Sequence, residues 1–304
     1  MSVPSSTVPP ELRAQIVSAL GKEPVGWHEP HTGLSPAKRF VVRFADGSSA
    51  FVKAAVDDPT ERWLRTEHEI LSRVEKTFVP RPLAWIDSGE RPALVTEDLS
   101  GAYWPADQFP VSWKPGQFGL LFETLRRVAE VVPSVPLPTA EGGFEPQWPL
   151  IAGEADAFLA LGLCSGDWFR DAIDGLREAE VSVPLAGDSL VHGDVRSDNL
   201  CFVGDRLVLV DWGGALRGNR DHDLATALST LPLEGGPDPF DVLPHGGPWA
   251  VYMAGRAARR SYRDAEAPEW LRRVLRRIVS ICLNWATRSL DLPRWTGLHW
   301  REIR

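Results

Sequence analysis

Three polar side chains in one short stretch carry the chemistry most readily read from this chain: Asp194, Asn199 and Asp211, all within Leu190–Leu216. Leu200–Val203 and Arg206–Val210 are apolar runs separated by Gly204-Asp205, a pair suited to a tight hairpin turn. Pairing the strands outward from that turn sets Asn199 opposite Val210, next to Asp211 in the chain. Asp194 then lies on the loop leading in. One carboxylate on a loop, with an amide and a second carboxylate beside each other, is a set suited to magnesium-assisted phosphoryl transfer. The loop carboxylate orients a hydroxyl and accepts its proton. The amide oxygen and the other carboxylate hold magnesium on nucleotide phosphates.

The stretch His192-Gly193-Asp194-Val195-Arg196-Ser197-Asp198-Asn199, followed by Val210-Asp211-Trp212-Gly213, resembles the aminoglycoside phosphotransferase and choline kinase-like group. These are small-molecule kinases with a protein-kinase-like fold. The resemblance runs from about Gly33 to Ala227 and implies an α+β architecture of two lobes. A small antiparallel β lobe, residues 1–98, binds the nucleotide. A mostly helical large lobe, residues 99–304, carries catalysis and the substrate. It further implies that the loop His28–Lys38 covers the nucleotide phosphates, that His192 shapes the catalytic loop, and that Asp223 braces it. Two departures stand out. The loop His28–Lys38 has a single glycine, Gly33, and Trp212 follows the metal aspartate, as is common in small-molecule kinases.

Elements able to position this chemistry precede it. Arg39–Phe44 and Ser49–Ala55 read as strands joined at Asp46-Gly47. Lys53 lies in the second, within Phe51-Val52-Lys53-Ala54-Ala55, where a buried ammonium needs a partner. As a kinase lysine it bridges the α- and β-phosphates and is held by a glutamate on the next helix. That helix is expected over Thr60–Lys76. Leu64, Glu67, Ile70, Leu71 and Val74 recur on one face, whereas Glu69 points roughly 200° from Glu67. Glu67 is therefore the partner, and Glu69 belongs to a solvated face. Leu83–Ile86 and Ala93–Thr96 are further strands. Thr96-Glu97-Asp98-Leu99 is the crossing between lobes, where by resemblance the backbone around Glu97 and Leu99 holds adenine.

Helices are expected over Glu11–Leu20, Phe118–Val132, Glu154–Leu163, Trp168–Glu178, Trp249–Tyr262 and Trp270–Leu290, and another opens at Asp221-His222-Asp223. In Phe118–Val132 the shared face is Leu121, Phe122, Leu125, Ala129 and Val132. An aspartate at Asp221 or Asp223 suits a helix cap. In Trp270–Leu290 one side is apolar, and Arg272, Arg273, Arg276 and Arg277 make a basic side that reads as solvated surface.

The chain has 304 residues, 43% hydrophobic and 24% charged, ordinary values for a globular protein. A net charge of −8 argues against nucleic acid or an anionic membrane as the main partner. No segment has a secretory pattern or membrane-spanning length, so the chain reads as cytoplasmic. Its three cysteines, Cys164, Cys201 and Cys282, are widely spaced and read as free thiols. Oligomeric state leaves no sequence signal.

The reading is thus an enzyme that uses magnesium and ATP, or GTP, to phosphorylate a hydroxyl of a small molecule. By family analogy the acceptor is an aminoglycoside or related antibiotic, compatible with a cationic ligand. A metabolic kinase on a sugar or amino alcohol shares every catalytic residue. A nucleotide-binding regulatory module without catalysis is the third alternative, and the intact set Lys53, Glu67, Asp194, Asn199 and Asp211 argues against it. Arg196 either touches the transferring phosphoryl or the substrate, or pairs with Asp198 at the surface. Ser197 has no nucleophile elbow around it, and His222 has no second spaced ligand for zinc. Glu154, Asp156, Asp167, Asp171, Asp174, Glu234, Asp238 and Asp241 are acidic candidates for an amino-bearing acceptor, although any one of them taken singly reads as an ordinary surface carboxylate. Trp104, Trp113 and Trp249 line a pocket or pack.

Overall fold

A computed structural model describes residues 8–30, 36–74, 77–87, 89 and 91–304. In chain order the helices are α1 (Pro10–Leu20), α2 (Asp58–Arg73), α3 (Gln117–Ala129), α4 (Trp148–Gly153), α5 (Ala155–Leu159), α6 (Gly166–Val181), α7 (His222–Leu228), α8 (Pro239–Val242), α9 (Gly247–Arg263) and α10 (Glu269–Ser289). The strands are β1 (Pro24–His28), β2 (Lys38–Phe44), β3 (Ser49–Ala54), β4 (Pro82–Ile86), β5 (Ala93–Glu97), β6 (Ser189–Val191), β7 (Leu200–Val203), β8 (Arg206–Leu209) and β9 (Leu216–Gly218). The fold is the expected two-lobed α+β class. The described residues form two compact units. One comprises the chain up to 111 with 130–138 and 192–216, and the other comprises 112–129, 139–191 and 217–304.

The first unit is built on a five-stranded sheet of order β1-β2-β3-β5-β4, antiparallel at every pairing. Strand alternation gives the sheet two different faces. Phe40, Val42 and Phe44 of β2, Ala50, Val52 and Ala54 of β3, and Ala93 and Val95 of β5 form one face. They pack with Leu12 and Ile16 of α1 and with Trp27 into a core. The opposite face carries Arg39, Val41, Phe51, Lys53, Leu94 and Thr96, aligned by the pairs Arg39↔Lys53↔Leu94 and Val41↔Phe51↔Thr96.

Helix α2 starts two residues before the expected Thr60. Asp57 accepts the Thr60 N–H at 2.9 Å, and the Thr60 hydroxyl accepts the Asp57 N–H at 3.0 Å, a reciprocal cap with Pro59 in the first turn. Its apolar stripe is buried as read, at Leu64, Glu67, Ile70, Leu71 and Val74. The expected end of this helix at Glu75 and Lys76 lies outside the described residues, as does loop segment 31–35.

The second unit is helical. Helix α9 packs against α6 and α10. Helix α3 ends at Ala129, short of the expected Val132, which is 71% exposed. Its buried residues include Leu121, Thr124, Leu125 and Val128, so the stripe is turned away from the expected Phe122 and Ala129. The segment Glu154–Leu163 is helical only as α5, and α4, which no expected helix covers, precedes it. Glu180 explains α4. Its fully buried carboxylate accepts the N–H groups of Gln147 and Trp148, both at 2.8 Å, and satisfies the helix start from another helix. Asp221 makes no side-chain cap to α7. The basic side of α10 is not simply solvated. Arg277 donates to the Ile303 carbonyl at 3.0 and 2.8 Å, Arg272 to Ala265 at 2.8 Å, and Arg276 pairs with Glu269. No described helix is long and apolar enough to cross a membrane.

Candidate active site

The hairpin closes in the register read from its turn. Leu200 pairs with Leu209 and Val203 with Arg206, and the Val210 N–H donates to the Asn199 carbonyl at 2.9 Å. Asn199 is thereby fixed beside the residue before Asp211. Its side-chain nitrogen donates to both the Asp194 carbonyl and Asp194 Oδ2 at 2.9 Å. With the nitrogen so engaged, the amide oxygen is the atom left to meet a cation. Arg196 holds the other oxygen of Asp194 at 3.1 Å and clasps Asp198 through Nε and Nη2 at 3.0 and 3.1 Å. Both readings of Arg196 thus start from one position. The Asp194 carboxylate is half exposed and fixed by one donor on each oxygen.

His192 is fully buried. Its Nε2 meets the Val210 carbonyl at 2.9 Å, Nδ1 accepts the Asp194 N–H at 3.3 Å, and the ring packs on Trp212 at 4.5 Å. Both ring nitrogens are used in holding the loop to the hairpin. Gly193 makes the turn between them with φ 83°, a conformation that side chains resist.

Asp211 is itself left-handed, with φ 69° and ψ 54°. Aspartate tolerates this region better than most residues. The conformation turns its carboxylate toward Lys53, whose Nζ lies 3.1 Å from Asp211 Oδ1 and 2.8 and 2.9 Å from the two oxygens of Glu67. Burial alone would lower the Lys53 pKa, but Glu67 and Asp211 outweigh it and hold the ammonium above its ordinary value. Lys53, with help from Arg39 and His192, holds the Asp211 carboxyl below its usual range against the effect of burial. Glu67 is buried while Asp211 is half exposed, so Lys53 joins an interior carboxylate to one facing solvent. Glu69 pairs with Arg73 at the surface.

After Asp211 the chain passes under α2. A Cβ on Gly213 would lie 2.8 Å from Trp63 Cβ, closer than such atoms pack, and 3.2 Å from the Trp63 carbonyl oxygen, a tight contact. Glycine here brings the aspartate's segment against the helix that carries Glu67.

The residues Lys53, Glu67, Asp194, Asn199 and Asp211, far apart in sequence, therefore meet in one unit. Glu97 serves as a strut: its carboxylate accepts the Arg81 N–H at 2.9 Å and pairs with Arg206 of β8 at 2.8 Å. The Leu99 carbonyl is engaged by the Ala102 N–H and the Trp104 indole, each at 3.0 Å. Trp104 here packs and ties the crossing. Asp223, His222 and Trp249 are buried in the other unit, where Trp249 packs edge-on to His222. Trp113 stacks on Phe118 and donates to Glu234 at 2.9 Å. Glu154 is held by Arg263 and Tyr262. Arg39 was not singled out by sequence reasoning. Counting outward from Asp46-Gly47 as a two-residue turn would set Phe40 opposite Lys53; the turn holds three residues, with the Phe44 N–H on the Ser48 carbonyl at 2.9 Å, and that shift by one brings Arg39 there.

Asp211 and the Asn199 oxygen are hard oxygen donors, the type magnesium prefers. Among the described residues no group of three or more His, Cys, Asp or Glu side chains forms a metal cluster. Two protein ligands suit an ion whose remaining positions are filled by phosphates and water.

Comparison with known proteins bears on the family and the fold. Residues 29–262 match the model of the phosphotransferase enzyme family. A search of curated proteins returns no match. Among solved structures, a choline/ethanolamine kinase family protein from Mesorhizobium loti is similar with TM-score 0.56 and 18% identity, over 92% of this chain and 97% of that one. A macrolide 2'-phosphotransferase type I has TM-score 0.53 and 14% identity over 91% and 98%. A spectinomycin phosphotransferase in complex with ADP and spectinomycin has TM-score 0.52 and 13% identity over 91% and 88%. These likenesses are of fold, and the match to the family model spans most of the chain: it belongs to the phosphotransferase enzyme family and is a small-molecule kinase.

Proposed function

We propose that the enzyme transfers a phosphoryl group from ATP, or GTP, to a hydroxyl of a small molecule, with magnesium. The observation that carries this reading is Lys53 bonded at once to Glu67 and Asp211, in the unit where Asn199 fixes Asp194. Lys53 supplies a positive charge to the α- and β-phosphates, and Glu67 keeps it aimed. The nucleobase lies along Val41 and Phe51 of the same sheet face, beside the backbone at Glu97 and Leu99. Asp211 and the Asn199 oxygen hold magnesium, which when bound neutralises phosphate charge. Asp194 accepts a hydrogen bond from the acceptor hydroxyl and takes its proton. Two donors on the carboxylate keep it in place, so most of the rate comes from orientation. The first 98 residues form the nucleotide-binding lobe.

The acceptor class we favour is an aminoglycoside or related antibiotic, met in the cytoplasm, where it would give resistance. Fold neighbours named for spectinomycin and macrolide phosphorylation support it. The choline/ethanolamine kinase family neighbour supports a metabolic amino alcohol as a second reading. The test is magnesium-dependent ATP consumption by wild type and Asp194→Ala across aminoglycosides, other hydroxylated antibiotics, sugars and amino alcohols. We expect acceptor-stimulated turnover that falls by about 10²- to 10⁴-fold in the variant. Turnover that survives the substitution would remove Asp194 from its role. The stimulating compound names the class.

A further inference from the structure

We propose that Arg39 is a second cation on the nucleotide phosphates, set beside Lys53 by the register of β2 and β3. The assignment rests on the nucleotide reading above and adds a residue to it.

Arg39 and Lys53 are direct cross-strand partners in an antiparallel pair. Such partners project from the same face, with Cβ atoms about 4.5–5.5 Å apart. The alternation confirms the side, because Phe40 and Val42, the neighbours on the opposite face, lie in the core with Val52. Arg39 is half-buried, and its Nη1 donates to the Ala37 carbonyl at 3.1 Å, which steadies the guanidinium at the start of the strand. Like charges directly opposite on adjacent strands are unfavourable. Lys53 is already matched by Glu67 and Asp211. An incoming polyphosphate on this face would meet both cations.

The chemistry suits the place. Lys53 offers a compact charge, whereas a guanidinium offers a planar fork that matches two phosphate oxygens. The segment His28–Lys38 contains one glycine, so its sequence is poor in the residues that let backbone N–H groups cradle phosphate. Arg39, at the end of that segment, supplies donors from a side chain.

The experiment is calorimetric titration of ADP, AMP and adenosine, with magnesium, into wild type, Arg39→Met and Arg39→Lys. Methionine keeps the aliphatic stem and removes the charge, and melting curves check that each variant is folded. We expect Arg39→Met to weaken ADP by about 10- to 100-fold, the worth of one charge-assisted contact. Adenosine affinity stays within about twofold, a contact to phosphate alone. Arg39→Lys should recover much of the loss, and ADP binding by Arg39→Met should depend less on salt. Unchanged ADP affinity in Arg39→Met overturns the assignment. An equal loss for ADP and adenosine also overturns it, because that marks a structural role. Wild type that binds no nucleotide overturns the donor reading itself, which separates that failure from the failure of Arg39.

Discussion

Removing the Glu67 carboxylate tests the central ion pair. In Glu67→Gln the shape is kept and the charge is lost. Lys53 and Glu67 side chains are 12% and 4% exposed, and Nζ meets both carboxylate oxygens. Breaking a pair buried this deeply costs about 3–5 kcal/mol, since the surviving charge is left without its partner. Here Asp211 remains 3.1 Å from Nζ, but it is 50% exposed and its pairing is screened. The net loss should be about 2–3 kcal/mol, which for a unit of this size lowers the melting temperature by about 5–10 °C. The second readout is nucleotide affinity. Lys53 should close on Asp211, drawing that carboxylate from magnesium, so affinity for ADP with magnesium falls more than affinity for adenosine. The control is Glu69→Gln, two residues away. Glu69 and Arg73 are 43% and 54% exposed, and losing their pair should cost about 0.3–0.5 kcal/mol. The pH response has a definite sign. Lys53 is raised in the folded protein, so its contribution is complete below the unfolded lysine value of about 10.4 and fades as pH rises through the folded value. The lysine's part of the gap between wild type and Glu67→Gln should therefore hold across neutral pH and narrow in alkali. If Glu67→Gln melts with wild type, or if Glu69→Gln shifts as far, the buried pair is not the brace described here.

Gly213→Ala should be destabilised by about 1–3 kcal/mol, because the added methyl meets Trp63 Cβ at 2.8 Å and backbone oxygen at 3.2 Å. Urea unfolding checks it, and a neutral result would mean that α2 yields freely at this contact. In the helical unit, Arg263 and then Tyr262 hold the Glu154 carboxyl down to about 2. Its stabilising effect is present above the unfolded value of about 4.3 and is lost as pH falls through about 2. Melting curves of wild type and Glu154→Gln should converge between pH 5 and pH 2, and a constant separation would contradict the pairing.

The sequence by itself specified what depends on near neighbours. The turn at Gly204-Asp205 determined the hairpin register, because two strands joined by a tight turn have few ways to pair. The spacing of Leu64, Glu67, Ile70 and Leu71 separated a buried glutamate from the exposed Glu69, because helical period alone sets which positions share a face. The pattern from His192 to Gly213 named the chemistry. Residues whose partners lie far along the chain were illegible. Helix α4 begins where Glu180 of a different helix satisfies its first amides, and nothing local to Trp148 announces that. Val132 fits the apolar period of α3, yet the helix stops before it, since periodicity marks a face and not an end. Arg272 and Arg277 of α10 looked like solvated surface because the carbonyls they reach belong to other segments.

The meeting of Lys53, Glu67 and Asp211 was expected by role, but their distances, the left-handed turn of Asp211 and the approach of Gly213 to Trp63 are tertiary facts. They arise because charges taken from water must find partners in space, and the chain brings those partners together across 158 residues between Lys53 and Asp211. Arg39 belongs with them. Its place beside Lys53 follows from sheet register, and its value to a phosphate exists only once the sheet has formed.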